Sequence, residues 1–412
     1  MIWLFRSIVV LLAYLGMNIY TGFRVLGLVK IFLPSLKAFV FWPFYLLLCY
    51  SFILIMLLRL DRILVLRQAG MYALPFFLYF FLALLTLDGL RFLLQYLDRL
   101  PRLPGLSAQG TAIALGLALV VMILGTIHAR NIRTVNYNIT IDKKASGQLE
   151  QAAGLRIALI SDLHIGATVG RKWVSNIVDA VNKTEPDIIF MAGDIFDNSI
   201  EAIRDPNGVT AELLRLSAPL GVYAIPGNHD VDRLNWREEA CTERIHGFLK
   251  NAGIILLQDE VELVADSFYI VGRRDVRPIG LSESRKSAAE LAAGLETIKP
   301  IIFLDHQPVD FPLMEAAGAD LIFSGHTHKG QFFPGNLATE RIFRRAGAVH
   351  YGHWQGRSAQ GVITSGAAVW GPPIRIATIS EVVVVNVKFT SEVQRDAAYP
   401  EKFSVRHFAH NP

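Results

Sequence analysis

Two textures divide the chain. Up to about residue 130 apolar residues run almost unbroken, in four nearly charge-free stretches at about residues 5–23, 38–58, 68–88 and 111–128. Each is close to the ~17–25 residues that carry a helix across a bilayer core. Short connectors hold Arg59, Arg62 and Arg67, then Arg91, Arg99 and Arg102, with Pro101 and Pro104 where a helix would stop. The pattern predicts an all-α, four-helix transmembrane region over residues 1–130. A signal peptide is the rival reading of the first stretch, but no small-residue cleavage site follows it and three more apolar stretches do.

From about residue 135 the period shortens. Val135, Tyr137, Ile139 and Ile141 alternate with polar residues, as in a half-exposed strand, within a linker over 131–154 that ends in a turn. Near-continuous apolar runs of buried-strand type follow: LRIALIS from Leu155, DIIFMAG from Asp187, GVYAIPG from Gly221, FYIVG from Phe268, IIFLDH from Ile301 and DLIFSGH from Asp320. Helical periodicity separates them, at Trp173–Asn182, Ala211–Leu216, Glu238–Asn251 and Ser287–Thr297. Strands alternating with helices predict an α/β layered domain over 155–390. VVVVNV after Glu381 reads as its last strand, and the tail over 391–412 loses the apolar pattern.

Composition sharpens the first division. Of the 412 residues 52% are hydrophobic and only 18% charged, with a mean hydropathy of +0.37, which excludes a disordered chain and argues against a purely soluble one. Residues 1–130 hold 11 Lys/Arg against Asp61, Asp88 and Asp98, while the remainder has 29 basic and 33 acidic residues. The basic excess therefore flanks the membrane region, and the polar part lacks the footprint of a nucleic-acid binder. Four spans put both ends on one side of a cell membrane; 8 Lys/Arg on that side against 6 on the other lean towards a cytoplasmic polar domain. Asp88, with Arg91 three residues on, reads as a helix-end ion pair. Cys49 and Cys241 supply neither a disulfide framework nor a Cys-based zinc site. No feature specifies an oligomeric state.

The candidate chemistry sits just past the strand ends, where open α/β folds present ligands from loops on a rigid base. In order these positions are Asp162 and His164; Gly193, Asp194 and Asp197; Gly227, Asn228, His229 and Asp230; His306; and Gly325, His326 and His328. A lone Asp after a strand is usually a turn residue, but that explanation would have to be repeated at five successive strand ends. Carboxylate, imidazole and amide groups without sulfur suit divalent Mn, Fe, Zn, Co or Ni. Two such ions can clamp the attacking and leaving oxygens of a displacement at phosphorus.

The blocks DLH, GDIFD, GNHD, DH and GHTH, over Asp162 to His328, resemble the calcineurin-like metallophosphoesterase superfamily, whose pattern is DxH, GDxxD, GNH(D/E), H and GHxH. The resemblance implies a two-sheet α/β sandwich with a dinuclear centre, manganese first among the candidate metals. It implies that Asp162, His164, Asp194 and His328 hold one ion, with Asp194 bridging to a second held by Asn228, His306 and His326. His229 would be the acid and Asp197 the carboxylate that orients it, in hydrolysis of a phosphomonoester or phosphodiester by a metal-bridging hydroxide. Asp230 belongs either to the site or to a loop cap.

GHTHKGQ and SGxxxWGPPIR, after a multi-span N-terminus, are similar to a membrane-associated bacterial branch, the YkuE type. Lys329 and Arg375 are then candidates for a substrate phosphate, Arg375 by a bidentate fork. One of Arg273 and Arg274 can face the same pocket, and His350 and His353 lie in a Gly-rich stretch that can approach it. Tethering to the lipid bilayer makes a lipid-linked or cell-envelope phosphate ester the first expectation for the substrate. A phosphodiesterase of soluble nucleotides is one alternative, and a membrane-anchored binding or scaffold protein with an inactive phosphoesterase domain is another.

Overall fold

The computed structural model describes residues 2–57, 64–97, 108–144, 147–149, 154–197, 200–230, 239–276 and 285–390. The connector residues Arg59, Arg62, Arg99, Arg102, Pro101 and Pro104 and the tail over 391–412 lie outside the described residues. The chain divides into a helical unit, up to Ile127 with the short segment Gly371–Ile374, and an α/β unit made of the rest from His128 onwards.

The helical unit contains α1 (Ile2–Phe32), α2 (Ala38–Cys49), α3 (Ser51–Leu57), α4 (Leu64–Tyr96) and α5 (Ala108–Ala129). Three segments, Leu11–Phe32, Leu66–Tyr96 and Ala108–Ala129, are long and apolar enough to cross a membrane. The second expected span is instead two helices meeting at Tyr50, which leaves helical geometry at φ −97°, ψ 7°. There the Cys49 carbonyl accepts the Tyr14 hydroxyl at 2.7 Å, and the Tyr14 and Tyr50 rings meet edge-on. A polar group from α1 thus satisfies a carbonyl freed from the helical ladder, as an apolar surround requires.

The first expected span was bounded by Arg24, yet α1 runs on to Phe32 because that charge is neutralised inside the unit. Arg24 Nη1 lies 2.9 Å and 3.1 Å from the two Asp88 carboxylate oxygens, and Nε donates to Thr111 at 3.2 Å. The Tyr20 hydroxyl donates to the same carboxylate. Asp88 is therefore tied across to α1 rather than to Arg91 on its own helix, and one polar cluster joins α1, α4 and α5.

In the α/β unit the elements are β1 (Ile132–Ile141), β2 (Leu155–Ile160), α6 (Arg171–Asn182), β3 (Ile188–Ala192), α7 (Pro206–Leu213), β4 (Val222–Ile225), α8 (Glu239–Asn251), β5 (Ile255–Leu256), β6 (Glu260–Val264) and β7 (Phe268–Gly272). Next come α9 (Ala288–Ala292), β8 (Ile301–Leu304), α10 (Phe311–Ala316), β9 (Leu321–Ser324), α11 (Gly335–Arg345), β10 (Gly352–Gln355), β11 (Gln360–Ile363) and β12 (Ser380–Phe389). They form two six-stranded mixed sheets, ordered β1-β12-β2-β3-β4-β5 and β10-β11-β9-β8-β7-β6.

Period-2 alternation explains the layers. From β2, Ile157 and Leu159 enter an apolar core shared with Phe268, Ile270, Ile302 and Phe323 of the second sheet. Their neighbours Ala158 and Ile160 face outward, against Val174, Ile177 and Val178 of α6 and Val209 of α7. Val271 and Phe303, on the outer side of the second sheet, pack with Leu291 and Met314 of α9 and α10. The result is the α/β layering expected from the strand and helix pattern, in the two-sheet sandwich that the family resemblance implies. β1 pairs in parallel along its whole length with β12, so the alternating linker strand becomes an edge of the first sheet. Strands β2, β3 and β4 run parallel, as do β8 and β9, so their carboxyl ends carry the loops of the next section.

Candidate metal centre

Every strand-end block predicted from the sequence converges here. Asp162, His164 and His328 bring ligand atoms within 4.8 Å of one another, and so do Asp194, His306 and His326. The Nε2 atoms of His164 and His328 are 3.0 Å apart, and His328 Nε2 is 3.4 Å from Asp162 Oδ1. Asp194 stands between the two groups. Its Oδ2 lies 3.2 Å from His306 Nε2 and 3.6 Å from His164 Nε2, while its Oδ1 accepts the His229 backbone N–H at 2.8 Å.

The backbone is bent to make this possible. Asp162, His164, Asp194, His326 and His328 all have φ between 44° and 70°, the left-handed region. Asp and His reach it more readily than branched residues, yet such positions persist only where surroundings hold them. The chain also has to pass very close: a Cβ at Gly193, itself at φ 85°, would lie 2.6 Å from His306 Nδ1. The interstrand contact explains why glycine precedes Asp194.

The donor set fits divalent cations. Asn228 Oδ1 and His164 Nδ1 are buried without a hydrogen-bond partner, and His306 Nε2 faces Asp194 without the alignment of a hydrogen bond. The Nδ1 of His306 lies 2.8 Å from the Ala192 carbonyl, which can only accept, so Nδ1 carries a proton and Nε2 is the ring atom turned towards Asp194. A buried acceptor left unmet costs about 1–3 kcal/mol, which a bound cation would offset. Charges within the site follow the same logic. Burial opposes charge on His306, yet the Asp194 and Asp162 carboxylates raise its pKa to about 10, so Nε2 also holds a proton at neutral pH until a bound cation takes that proton's place. Burial pushes Asp194 up, but His306, His164 and His229 hold it well below the usual carboxylate range.

His229 belongs to neither of these two groups but to a third, with His164 and Asp197, whose ligand atoms also lie within 4.8 Å of one another. Its ring packs on His164 with centroids 4.9 Å apart, and its Nδ1 is 3.9 Å from Asp197 Oδ1. Asp230 takes the loop-cap role: its carboxylate accepts the backbone N–H groups of Gly227, Phe196 and Ile195 at 2.7, 2.8 and 3.2 Å. That clamp fastens the GNHD loop to the GDIFD loop.

Several expectations are corrected. Arg375 does not reach towards a substrate: it is fully buried, and its guanidinium donates to the carbonyls of Ala368 (2.7 Å), Ser365 (2.5 Å), and His328 (3.3 Å). It braces the GHTH loop from behind. Arg375→Ala is expected to destabilise the fold by about 3 kcal/mol by leaving buried carbonyls unmet. Thermal denaturation would register this, and Arg375→Lys would recover little because an ammonium does not span the same carbonyls. Arg273 does turn inward, but onto Asp305 at 2.7 Å, the residue before His306. His353 is held by Gln360 at 3.0 Å, and the His350 carbonyl accepts the Thr327 hydroxyl. Lys329 is half-buried, with its ammonium 3.9 Å from the Tyr351 ring centroid and no ion pair among the described residues. The sequence reading missed Trp370, whose indole lies 5.7 Å from the His229 ring; a bulky apolar residue inside a Gly/Pro-rich loop was the available signal.

A centre of this composition, at the carboxyl ends of strands from two stacked sheets, defines a metallophosphoesterase type of site. The match to known proteins agrees. Residues 155–330 fit the family model for calcineurin-like phosphoesterases. A Campylobacter jejuni metallophosphoesterase is 26% identical over 94% of this chain and 99% of its own length. A Danio rerio transmembrane protein with a metallophosphoesterase domain is 29% identical over 68% of this chain, and the Escherichia coli phosphodiesterase YaeI 30% identical over 44%. The chain spans 63% of the length of each of these last two relatives. Residues 155–330 are a calcineurin-like metallophosphoesterase domain.

Proposed function

We propose that the chain is a membrane-anchored, metal-dependent phosphohydrolase acting on a phosphomonoester or phosphodiester. The observation that carries this reading is the position of Asp194 between two ligand groups, 3.2 Å from His306 Nε2 and 3.6 Å from His164 Nε2, with a buried Asn228 Oδ1 that has no hydrogen-bond partner. Asp162, His164, Asp194 and His328 would hold one divalent ion, and Asp194, Asn228, His306 and His326 a second; Mn is the first choice. Two bound ions would neutralise phosphoryl charge and make a water acidic enough to attack.

The protein's own groups account for the rest. His229, fixed by its backbone N–H on Asp194 and facing Asp197, donates a proton to the leaving oxygen. Lys329, the residue after the expected ligand His328, would meet a substrate phosphate with an ammonium that rests on the Tyr351 ring rather than on a carboxylate. The three long apolar helices support a bilayer anchor, and hence an ester in or near the membrane, lipid-linked or of the cell envelope. Relatives named metallophosphoesterase or phosphodiesterase support the reaction class.

Elemental analysis of the detergent-solubilised protein, paired with hydrolysis of a p-nitrophenyl phosphoester after adding Mn, tests the reading. Metal-loaded protein with Mn-dependent release of nitrophenolate is expected. Folded protein that takes up no Mn, Fe or Zn and releases nothing would favour a binding or scaffold role.

A further inference from the structure

Trp370 is 51% exposed, the one exposed tryptophan among the described residues, although Ala367, Ala368 and Val369 before it are buried. Its backbone is fixed by a single buried side-chain amide. The Trp370 N–H donates to Gln331 Oε1 at 2.8 Å, and Gln331 Nε2 donates to the Trp370 carbonyl at 3.0 Å. Gln331 ends the same GHTHKGQ run that carries His326 and His328, so the indole is registered to the metal-binding loop rather than loosely hung. The indole and His229 rings stand at 60° to each other with centroids 5.7 Å apart.

We infer that Trp370 is the specificity-determining wall of the leaving-group side of the site, selecting esters whose leaving oxygen is bonded directly to an apolar body, aryl or hydrocarbon. This rests on the reading of His229 as the acid. An acid must lie within hydrogen-bond reach of the oxygen it protonates, so whatever that oxygen carries leaves the site beside His229. The surface it meets there is a large apolar face, held in place before any ligand arrives, so little ordering entropy is lost on contact. A small polar alcohol would gain nothing from that face, whereas a ring or chain would cover it.

Non-hydrolysable phosphonates separate this idea from the reading beneath it. Methyl-, benzyl- and hexylphosphonate are titrated calorimetrically into Mn-loaded, full-length protein and its Trp370→Ala and Trp370→Phe variants. Trp370→Ala is expected to weaken the benzyl or hexyl compound, or both, about tenfold, a loss typical of one aromatic contact. Methylphosphonate should bind unchanged, and Trp370→Phe should recover most of the loss. Loss confined to the benzyl compound identifies an aromatic leaving group, and loss confined to the hexyl compound a hydrocarbon chain; either supports the inference. Equal weakening of all three, or of none, overturns it and leaves Trp370 a loop or surface anchor. If even methylphosphonate fails to bind the unaltered protein, the metal-centre reading falls, and this inference with it.

Discussion

Asp194→Ala is expected to abolish metal binding and turnover together. Asp194 links the two ligand groups: its Oδ2 is within 3.6 Å of both His306 and His164, and its Oδ1 holds the His229 backbone. Removing it takes away the shared carboxylate and leaves the His306 imidazole without its main counter-charge in a fully buried site. Supporting partners alone are worth about 10–100-fold in metal affinity, so a bridging carboxylate should exceed that range. Asp194→Asn is the sharper variant, since it keeps the shape and the acceptor for His229 but not the charge. Elemental analysis beside a hydrolysis assay checks the prediction; an Asn variant with full metal content and full rate would exclude the bridging role.

His229→Ala should do the opposite, retaining metal while losing turnover by about 10²–10⁴-fold, the usual contribution of a positioned acid. The ring is outside the groups built around Asp162 and Asp194, although it forms a third trio with His164 and Asp197, so loss of metal from the Ala variant would assign it to ligation instead. The leaving group gives the diagnostic. p-Nitrophenolate departs as a stable anion and needs no proton, so its ester should suffer least, whereas alkyl esters should suffer most. A loss equal across the series would assign His229 to binding or charge stabilisation rather than to proton donation.

The five strand-end blocks were legible because each is a local solution to a local problem: a buried strand must end, turn sharply, and present a polar group. Asp162, His164, Asp194, Asn228, His229, His306, His326 and His328 all fall where that rule puts them. What was not legible depends on partners distant in sequence. Asp88 reads as a partner of Arg91 only until α1 is brought alongside, and Arg24 ends an apparent span only while its charge is unmet. Arg375 has the chemistry of a phosphate fork, but burial among carbonyls from Ser365 to Ala368 and from His328 gives it a bracing role. The left-handed backbone at five of the expected ligands has no residue signature beyond a preference for Asp and His.

The Arg24 and Asp88 pair also sets an order of events in synthesis. In a bilayer, a guanidinium in mid-helix costs about 2.5–3.5 kcal/mol without a partner. α1 precedes α4 in the chain, and its counter-ion arrives only with the far end of α4, so α1 alone would be a poor lodger in lipid. In a membrane, stable integration of α1 would thereby be coupled to that of α4, and such an anchor would assemble as a set of helices rather than one span at a time.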